Sequence, residues 1–279
     1  MYQHYLLLLL FLGVFSSGLS ASTQLIYPQP AQESDSDYPQ VLLAKALQTA
    51  GLDYQFIPSQ DPIVQSRALR QLEANDGIDV VWTMTSIERE KHLLPVRIPI
   101  FKGLYGWRLL MIKPASQTKL NQIDTVSALA TIPLLQGQGW PDTYVLQANG
   151  LRVSGTPQTQ DLFDMLLRDR GIAFPRSILE IWTEQENYQS DLVVEKQLAL
   201  FYPTAMYFFF RPTDTKLAAG IESGLKQMLA NGEFDRLFTA YHQQAIDKAR
   251  LFERKVLPLW NPLLPQLTPL EQERYWYRP

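Results

Sequence analysis

Ile78-Asp79-Val80-Val81-Trp82-Thr83-Met84-Thr85-Ser86-Ile87-Glu88-Arg89 is the stretch on which the fold turns. Ile78 to Trp82 is a near-continuous apolar run, the pattern of a strand buried on both faces of a parallel sheet. Upstream, Gln24 to Tyr27 reads as a short strand ending at Pro28. Val41, Leu42, Ala46, Leu47 and Ala50 then recur at helical spacing until Gly51 stops the run. Tyr54 to Ile57 starts a second strand, and Ile63, Val64, Ala68, Leu69 and Leu72 mark a second amphipathic helix. The order is βαβαβ. Such a unit closes through right-handed crossovers, and its ligand-binding loops lie at the carboxyl ends of the strands, here after Tyr27 and after Trp82.

Working outward, Tyr105 to Ile112 is β-rich and ends at Lys113-Pro114. A second α/β passage follows, with strands at Ile132 to Leu135, Leu151 to Val153 and Gly171 to Phe174, and helices near Asp142 to Ala148 and around Leu162 to Leu167. Leu198 to Tyr202 is one more strand before the aromatic run Met206 to Phe210, which reads as core. Leu217, Ile221, Leu225 and Met228 give a helix stopped at Asn231-Gly232, and Phe234, Leu237, Phe238 and Tyr241 give the next. From Phe252 the texture changes. Pro258, Pro262, Pro265, Pro269 and Pro279 alternate with Leu259, Trp260, Leu263, Leu264, Tyr275, Trp276 and Tyr277, a density of proline that forbids a helix and predicts an extended tail laid over one lobe.

Composition excludes several function classes. The 279 residues are 46% hydrophobic, enough for sizeable cores and long for one compact domain. Lys+Arg of 25 against Asp+Glu of 28 gives a net charge of −3, which argues against a nucleic-acid surface or a polybasic membrane patch. The absence of cysteine removes disulfides, thiolate metal sites and thiol nucleophiles. Of three histidines, His4 lies in a segment expected to be removed, so His92 and His242 are the only imidazoles left for zinc or a nucleophile-activating relay. The expectation is a binding protein with no metal or other cofactor, rather than an enzyme. Asp35 and Asp37, and the group Glu184, Glu186 and Asp191, read as solvated loop because no spacing matches a calcium loop.

Tyr5 to Phe15 is almost wholly apolar and is followed by Ser16, Ser17, Gly18, Ser20 and Ala21, the order of a cleavable signal peptide over residues 1–21. The run is about half the ~20 residues that a span requires, so export to the periplasm is expected rather than anchoring.

Two stretches carry candidate binding chemistry. Thr83 and Thr85 sit just beyond the buried strand, where hydroxyls donate to ligand oxygens, and the fork of N–H donors on Arg89 suits a carboxylate. Gln136-Gly137-Gln138-Gly139-Trp140-Pro141-Asp142-Thr143 bridges a strand and a helix. Proline stands in the first turn, Asp142 or Thr143 is placed to cap, and backbone N–H groups around Gln138 and Gly139 are expected to cradle an anionic group, with Trp140 stacking on the solute.

The order of parts resembles the type 2 periplasmic binding-protein fold, and most of all family 3 extracellular solute-binding proteins. The resemblance rests on Ile78 to Arg89, on Phe101-Lys102-Gly103-Leu104-Tyr105-Gly106-Trp107 at the place of the first interlobe crossover, and on the helix pair Leu217 to Tyr241 around Asn231-Gly232-Glu233-Phe234; it spans residues 23–245. The chain is also similar to a subset of exported proteins with a Trp-Pro-Asp-Thr turn, here Trp140 to Thr143, and a Phe-Pro-Arg strand end, here Phe174 to Arg176.

The resemblance implies a two-lobed α/β protein. Each lobe would be a mostly parallel sheet flanked by helices, with lobe I from 22–103 and 206–250, lobe II from 104–205, and a tail from 251–279 packed on a lobe. Two hinge crossings are implied, near Phe101 to Tyr105 and near Tyr202 to Tyr207. It also implies a monomeric receptor that closes over a small molecule, for ABC-type uptake through an inner-membrane permease or for signalling to a membrane sensor. The alternative is a ligand-free interaction module using the cleft rim and tail. In the family the hydroxyl pair and arginine hold the ligand's carboxylate, which falls here on Thr83, Thr85 and Arg89, with a spacing about one residue shorter. Amino-acid binders place an acidic residue at the strand end where Arg176 stands here. This reversal of charge leads to an anionic or multiply carboxylated ligand clamped by Arg89 and Arg176. Tyr27, Trp107 and Tyr202 are the expected aromatic walls.

Overall fold

The computed structural model describes residues 23–29 and 37–279. The expected signal peptide and Asp35 lie outside these residues.

The elements in chain order are β1 (Thr23–Gln29), α1 (Tyr38–Thr49), β2 (Tyr54–Pro62), α2 (Gln65–Ala74), β3 (Val81–Met84), α3 (Ile87–His92), β4 (Leu94–Val96), β5 (Trp107–Ile112), α4 (Gln117–Leu120), α5 (Val126–Leu129), β6 (Leu134–Leu135), α6 (Pro141–Ala148), β7 (Val153–Ser154), α7 (Thr159–Leu167), β8 (Ala173–Ser177), α8 (Ile181–Tyr188), β9 (Val193–Val194), β10 (Leu198–Phe201), β11 (Met206–Phe210), α9 (Thr215–Ala230), α10 (Glu233–Ala249) and β12 (Lys255–Pro258). The strands form two bodies. In lobe I, β1 and β2 pair in parallel, and β3 and β4 flank β11 antiparallel. Lobe II is a sheet of order β12-β10-β5-β8-β6-β7, with β9 also on β5.

Apolar periodicity places these elements well. The predicted strand at Ile78 to Trp82 is displaced toward its C-terminus for a local reason. The Asp79 carboxylate accepts from Ile26 N (2.9 Å), while Asp79 N and Val80 N both donate to Ile26 O, so this segment joins β1 irregularly before the regular ladder of β3 begins. Arg211 holds Asp79 from the far side at 3.0 Å. The α/β, two-lobed architecture is as expected, but strand pairing is mixed rather than mostly parallel. The two interlobe crossings run in opposite directions, so β5 lies antiparallel to β10, and β8 pairs antiparallel with β5.

The crossings pack against each other at Gly106, where any Cβ would clash with the Tyr202 carbonyl, and Tyr202 N donates to Gly106 O at 3.2 Å. The aromatic run Tyr207 to Phe210 is wholly buried, as its sequence predicts. The tail is not confined to one lobe: β12 pairs in parallel with β10 at the edge of the lobe II sheet, ending at Pro258, where a missing N–H is tolerated, and the chain then returns to lobe I through Leu263 O and Tyr277 N. Among the described residues no helix is long and apolar enough to cross a membrane.

One buried ionisable group tests the lobe I core. His242 on α10 is enclosed by the rings of Tyr38, Phe101, Phe238 and Tyr241, and its Nε2 has no hydrogen-bond partner among the described residues. Burial lowers its pKa from 6.5 to about 4. The native state thus prefers the neutral ring. Its contribution is complete above the unfolded value, falls as pH drops from 6.5 towards 4, and levels off below, by about 3 kcal/mol in all. Urea midpoints measured from pH 7.5 to 4 are expected to fall across that window, and less steeply in His242→Phe.

Candidate functional site

The lobe I wall grows out of the end of β3. Ser86 caps α3 by accepting from Arg89 N at 3.1 Å, so the helix starts two residues after Thr85. This short connection still lets the Arg89 guanidinium fold back over the strand end: Nη1 donates to Thr83 Oγ1 at 2.9 Å and to Met84 O, and Nη2 to Gln65 Oε1 at 3.0 Å. Arg89 pairs with neither Glu88 nor Glu90. Burial lowers its pKa to about 10, the Asp142 carboxylate of lobe II acts against that, and the guanidinium remains charged. Thr85 is spent locally. Its hydroxyl donates to Glu90 at 2.6 Å, Glu90 pairs with Arg97, and Thr85 N donates to Ala205 O, which corrects its expected role as a ligand donor.

Aromatic rings extend this wall. Tyr27 stacks on Phe56 with centroids 4.8 Å apart and lies 5.7 Å from Trp82, all three half-buried. Trp82 is a wall residue that sequence reasoning read only as strand, although its alternation with buried Val81 and Thr83 places it on the face shared with Tyr27.

The lobe II wall is a charged network. Arg108 on β5 pairs with Asp142 at 2.5 Å, and Tyr202 donates to the same carboxylate. Arg176 on β8 holds Glu184 with two nitrogens, its Nε at 2.8 and 3.0 Å, and reaches Glu180 at 3.2 Å. Burial works against both guanidinium charges, but Asp142, Tyr202 and Glu180 around Arg108, and Glu180 and Glu184 around Arg176, hold both above the ordinary arginine range. Burial also raises Glu180.

Arg176 is therefore not an unpaired clamp, which corrects the expected charge reversal: its acidic partners, Glu184 on α8 and Glu180 at the N-cap, stand four residues apart on a helix the sequence reading left as loop. Glu184, read as solvated, belongs to this network. Three carboxylates against two guanidiniums leave one excess negative charge. The most open of the three is Glu180, 29% exposed, and its ion pairs all use Oε2.

Other expected residues take supporting places. Tyr202 is wholly buried, and Trp107 is buried on Phe201 with centroids 4.4 Å apart; both are hinge core rather than ligand walls, because the crossings pack on each other there. Asp142 does not cap α6. The N-cap position is Trp140, without a side-chain cap, and Thr143 Oγ1 donates back to Gly137 O at 2.7 Å. The loop amides of Gly137, Gln138 and Trp140 are used by Gln136 Oε1, Thr156 O and Gly137 O, so the expected anion cradle is replaced by a self-bonded turn that leaves Gly139 exposed at φ +79°. Trp140 packs on Gly137 and under Arg176 (5.2 Å). The imidazoles lie apart from this wall, His92 between Glu73 and Glu88 and His242 in the lobe I core.

No protein-family model matches the sequence, and no curated protein does. Solved structures do match in shape. An ancestral arginine-binding protein bound to arginine superposes with a TM-score of 0.57 at 16% identity, covering 79% of this chain and 97% of that one. A Salmonella typhimurium periplasmic binding protein of high arginine specificity gives 0.59 at 13%, covering 79% and 99%. The periplasmic VFT2 domain of BvgS from Bordetella pertussis gives 0.60 at 14%, covering 78% and 92%. At these identities the likeness concerns the fold. The chain has the two-lobed fold of the amino-acid-binding, type 2 periplasmic solute-binding proteins.

Proposed function

We propose that the chain is an exported periplasmic receptor that closes over a small zwitterion of amino-acid type, binding it without covalent chemistry, for ABC-type uptake or for reporting to a membrane sensor. The observation that carries this is Arg89, a half-buried guanidinium without a carboxylate partner among the described residues, set against a wall with one surplus carboxylate. A ligand carboxylate completes the arginine fork in lobe I. A ligand ammonium answers the surplus charge at Glu180 in lobe II. Tyr27 and Trp82 supply apolar contact for the remainder. A multiply anionic ligand is disfavoured, since Arg176 already has two carboxylates. Structural neighbours that bind arginine and other amino acids agree with this class.

The test is a thermal-shift and calorimetric screen of the purified chain against the twenty amino acids, dicarboxylates, sugar acids and phosphorylated metabolites. An amino acid at 100 times its Kd is expected to stabilise the native state by about 2.7 kcal/mol. Stabilisation by dicarboxylates or phosphates with none by amino acids overturns the reading.

A further inference from the structure

The tail beyond α10 makes contact, in order, with lobe II, the second crossing, lobe I and the first crossing. Leu259 N donates to Phe201 O at 2.7 Å, and Trp260 exchanges two hydrogen bonds with the Asn149 side chain at the end of α6, at 2.9 and 2.7 Å. Asn261, buried, then donates to Pro203 O at 2.8 Å, on the return crossing, and its Oδ1 accepts from Leu263 N at 3.0 Å. Leu263 O accepts at 3.0 Å from Ile87 N, the first amide of α3, which bears Arg89. Further on, Tyr277 N donates to Lys102 O at 2.8 Å on the first crossing. The Trp276 ring, held by Nε1 donating to Pro269 O, lies so close to Gly103 that a Cβ there would be 2.6 Å from it.

The geometry is that of a tether. Only three residue steps separate the lobe II anchor at Trp260 from the lobe I anchor at Leu263, a reach of about 10 Å even when fully extended. Pro258, Pro262, Pro265 and Pro269 stiffen the path and remove slack. In a two-lobed protein joined by two crossings, a few residues absorb the rotation that opens the cleft. Here Asn261 and Trp276 pin residues of both crossings, and the Trp260–Leu263 segment ties the end of α6 to the start of α3.

We propose that the tail is a third interlobe crossing, a strap that limits opening and holds the two walls of the cleft near each other before any ligand arrives. A protein of this kind spends less ligand-binding energy on closure, because the competent state is already the populated one.

The test needs no ligand and is therefore independent of the function proposed above. The chain has no cysteine, so Arg70→Cys on α2 and Asp161→Cys on α7 give a unique pair of spin-label sites, one on each lobe. Interlobe distances are measured by pulsed dipolar spectroscopy in the parent tail and in a variant with Gly-Ser-Gly-Ser inserted between Asn261 and Pro262. The insertion adds slack while keeping each anchor. The parent is expected to give one narrow distribution and the insertion a broader one extending several ångströms further. Identical distributions, or a parent already as broad as the variant, overturn the proposal. Asn149→Ala, which releases the Trp260 anchor together with a local bond to Val145 O, provides the same reading if the insertion variant does not fold.

Discussion

Arg89→Ala is expected to abolish measurable binding of an amino-acid ligand while leaving the ligand-free protein as stable as the parent or more so. The two effects have one cause. The guanidinium lies half-buried over Thr83 Oγ1 and Met84 O without a carboxylate to offset its partial desolvation, so the ligand-free protein carries an unrepaid cost. Removing it relieves the free state and deprives the bound state of its strongest contact. Truncating one partner of a buried, hydrogen-bonded charge pair costs about 2–5 kcal/mol, or roughly thirty- to several-thousand-fold in Kd. Arg89→Lys retains the charge but loses the planar fork that reaches Thr83 and Gln65 together, and is expected to recover only part of the affinity. Calorimetry against the best amino acid from the screen, with melting curves of the free variants, measures both quantities. A variant that melts lower and binds normally would make Arg89 a structural residue of α3.

The parts of this site differ in how far the sequence exposes them. The end of β3 is legible, because an apolar run followed by hydroxyls and an arginine specifies both the strand and what stands at its tip. Thr83 and Arg89 meet as the chemistry suggests. Thr85 is the exception, since the choice between ligand and Glu90 depends on where α3 points its side chains, and a six-residue helix leaves little periodicity to read. Lobe II is less legible for a different reason. The partners of Arg108 and Arg176 come from α6, α8, the α8 N-cap and the return crossing, and pairing between elements distant in sequence leaves no local pattern. Glu180 and Glu184 are spaced three and seven residues from Ser177, unremarkable until β8 and α8 are known to fold back on each other. Tyr202 and Trp107 read from the sequence as aromatic walls of the site, and the close approach at Gly106 that makes them hinge core instead follows from the two crossings touching.

Arg176→Ala is expected to act on stability first, the opposite of what a ligand clamp would do. Its guanidinium lies between Glu184 and Glu180, and deletion leaves two carboxylates in a buried wall with only Arg108, at 3.8 Å from Glu180, to balance them. Breaking a buried pair in this way costs about 3–5 kcal/mol, a fall in Tm of roughly 10 °C for a chain of this size. The defect carries a sign in pH. Burial already raises the pKa of Glu180, and without the Arg176 charge that carboxylate favours the native state only while protonated, so the loss relative to the parent grows as pH rises from 5 to 8. Arg176→Met combined with Glu184→Leu replaces the pair by apolar volume and is expected to regain most of the stability, as such exchanges are often near neutral. Denaturation at pH 5 and pH 8 of the parent, the single and the double variant separates the outcomes. Loss of ligand binding in Arg176→Ala with an unchanged, pH-independent midpoint would return Arg176 to the ligand. A pH-dependent loss recovered in the double variant makes it the counter-ion that fixes Glu180 and Glu184 in place, so that the single surplus charge of lobe II is presented at one carboxylate rather than spread over three.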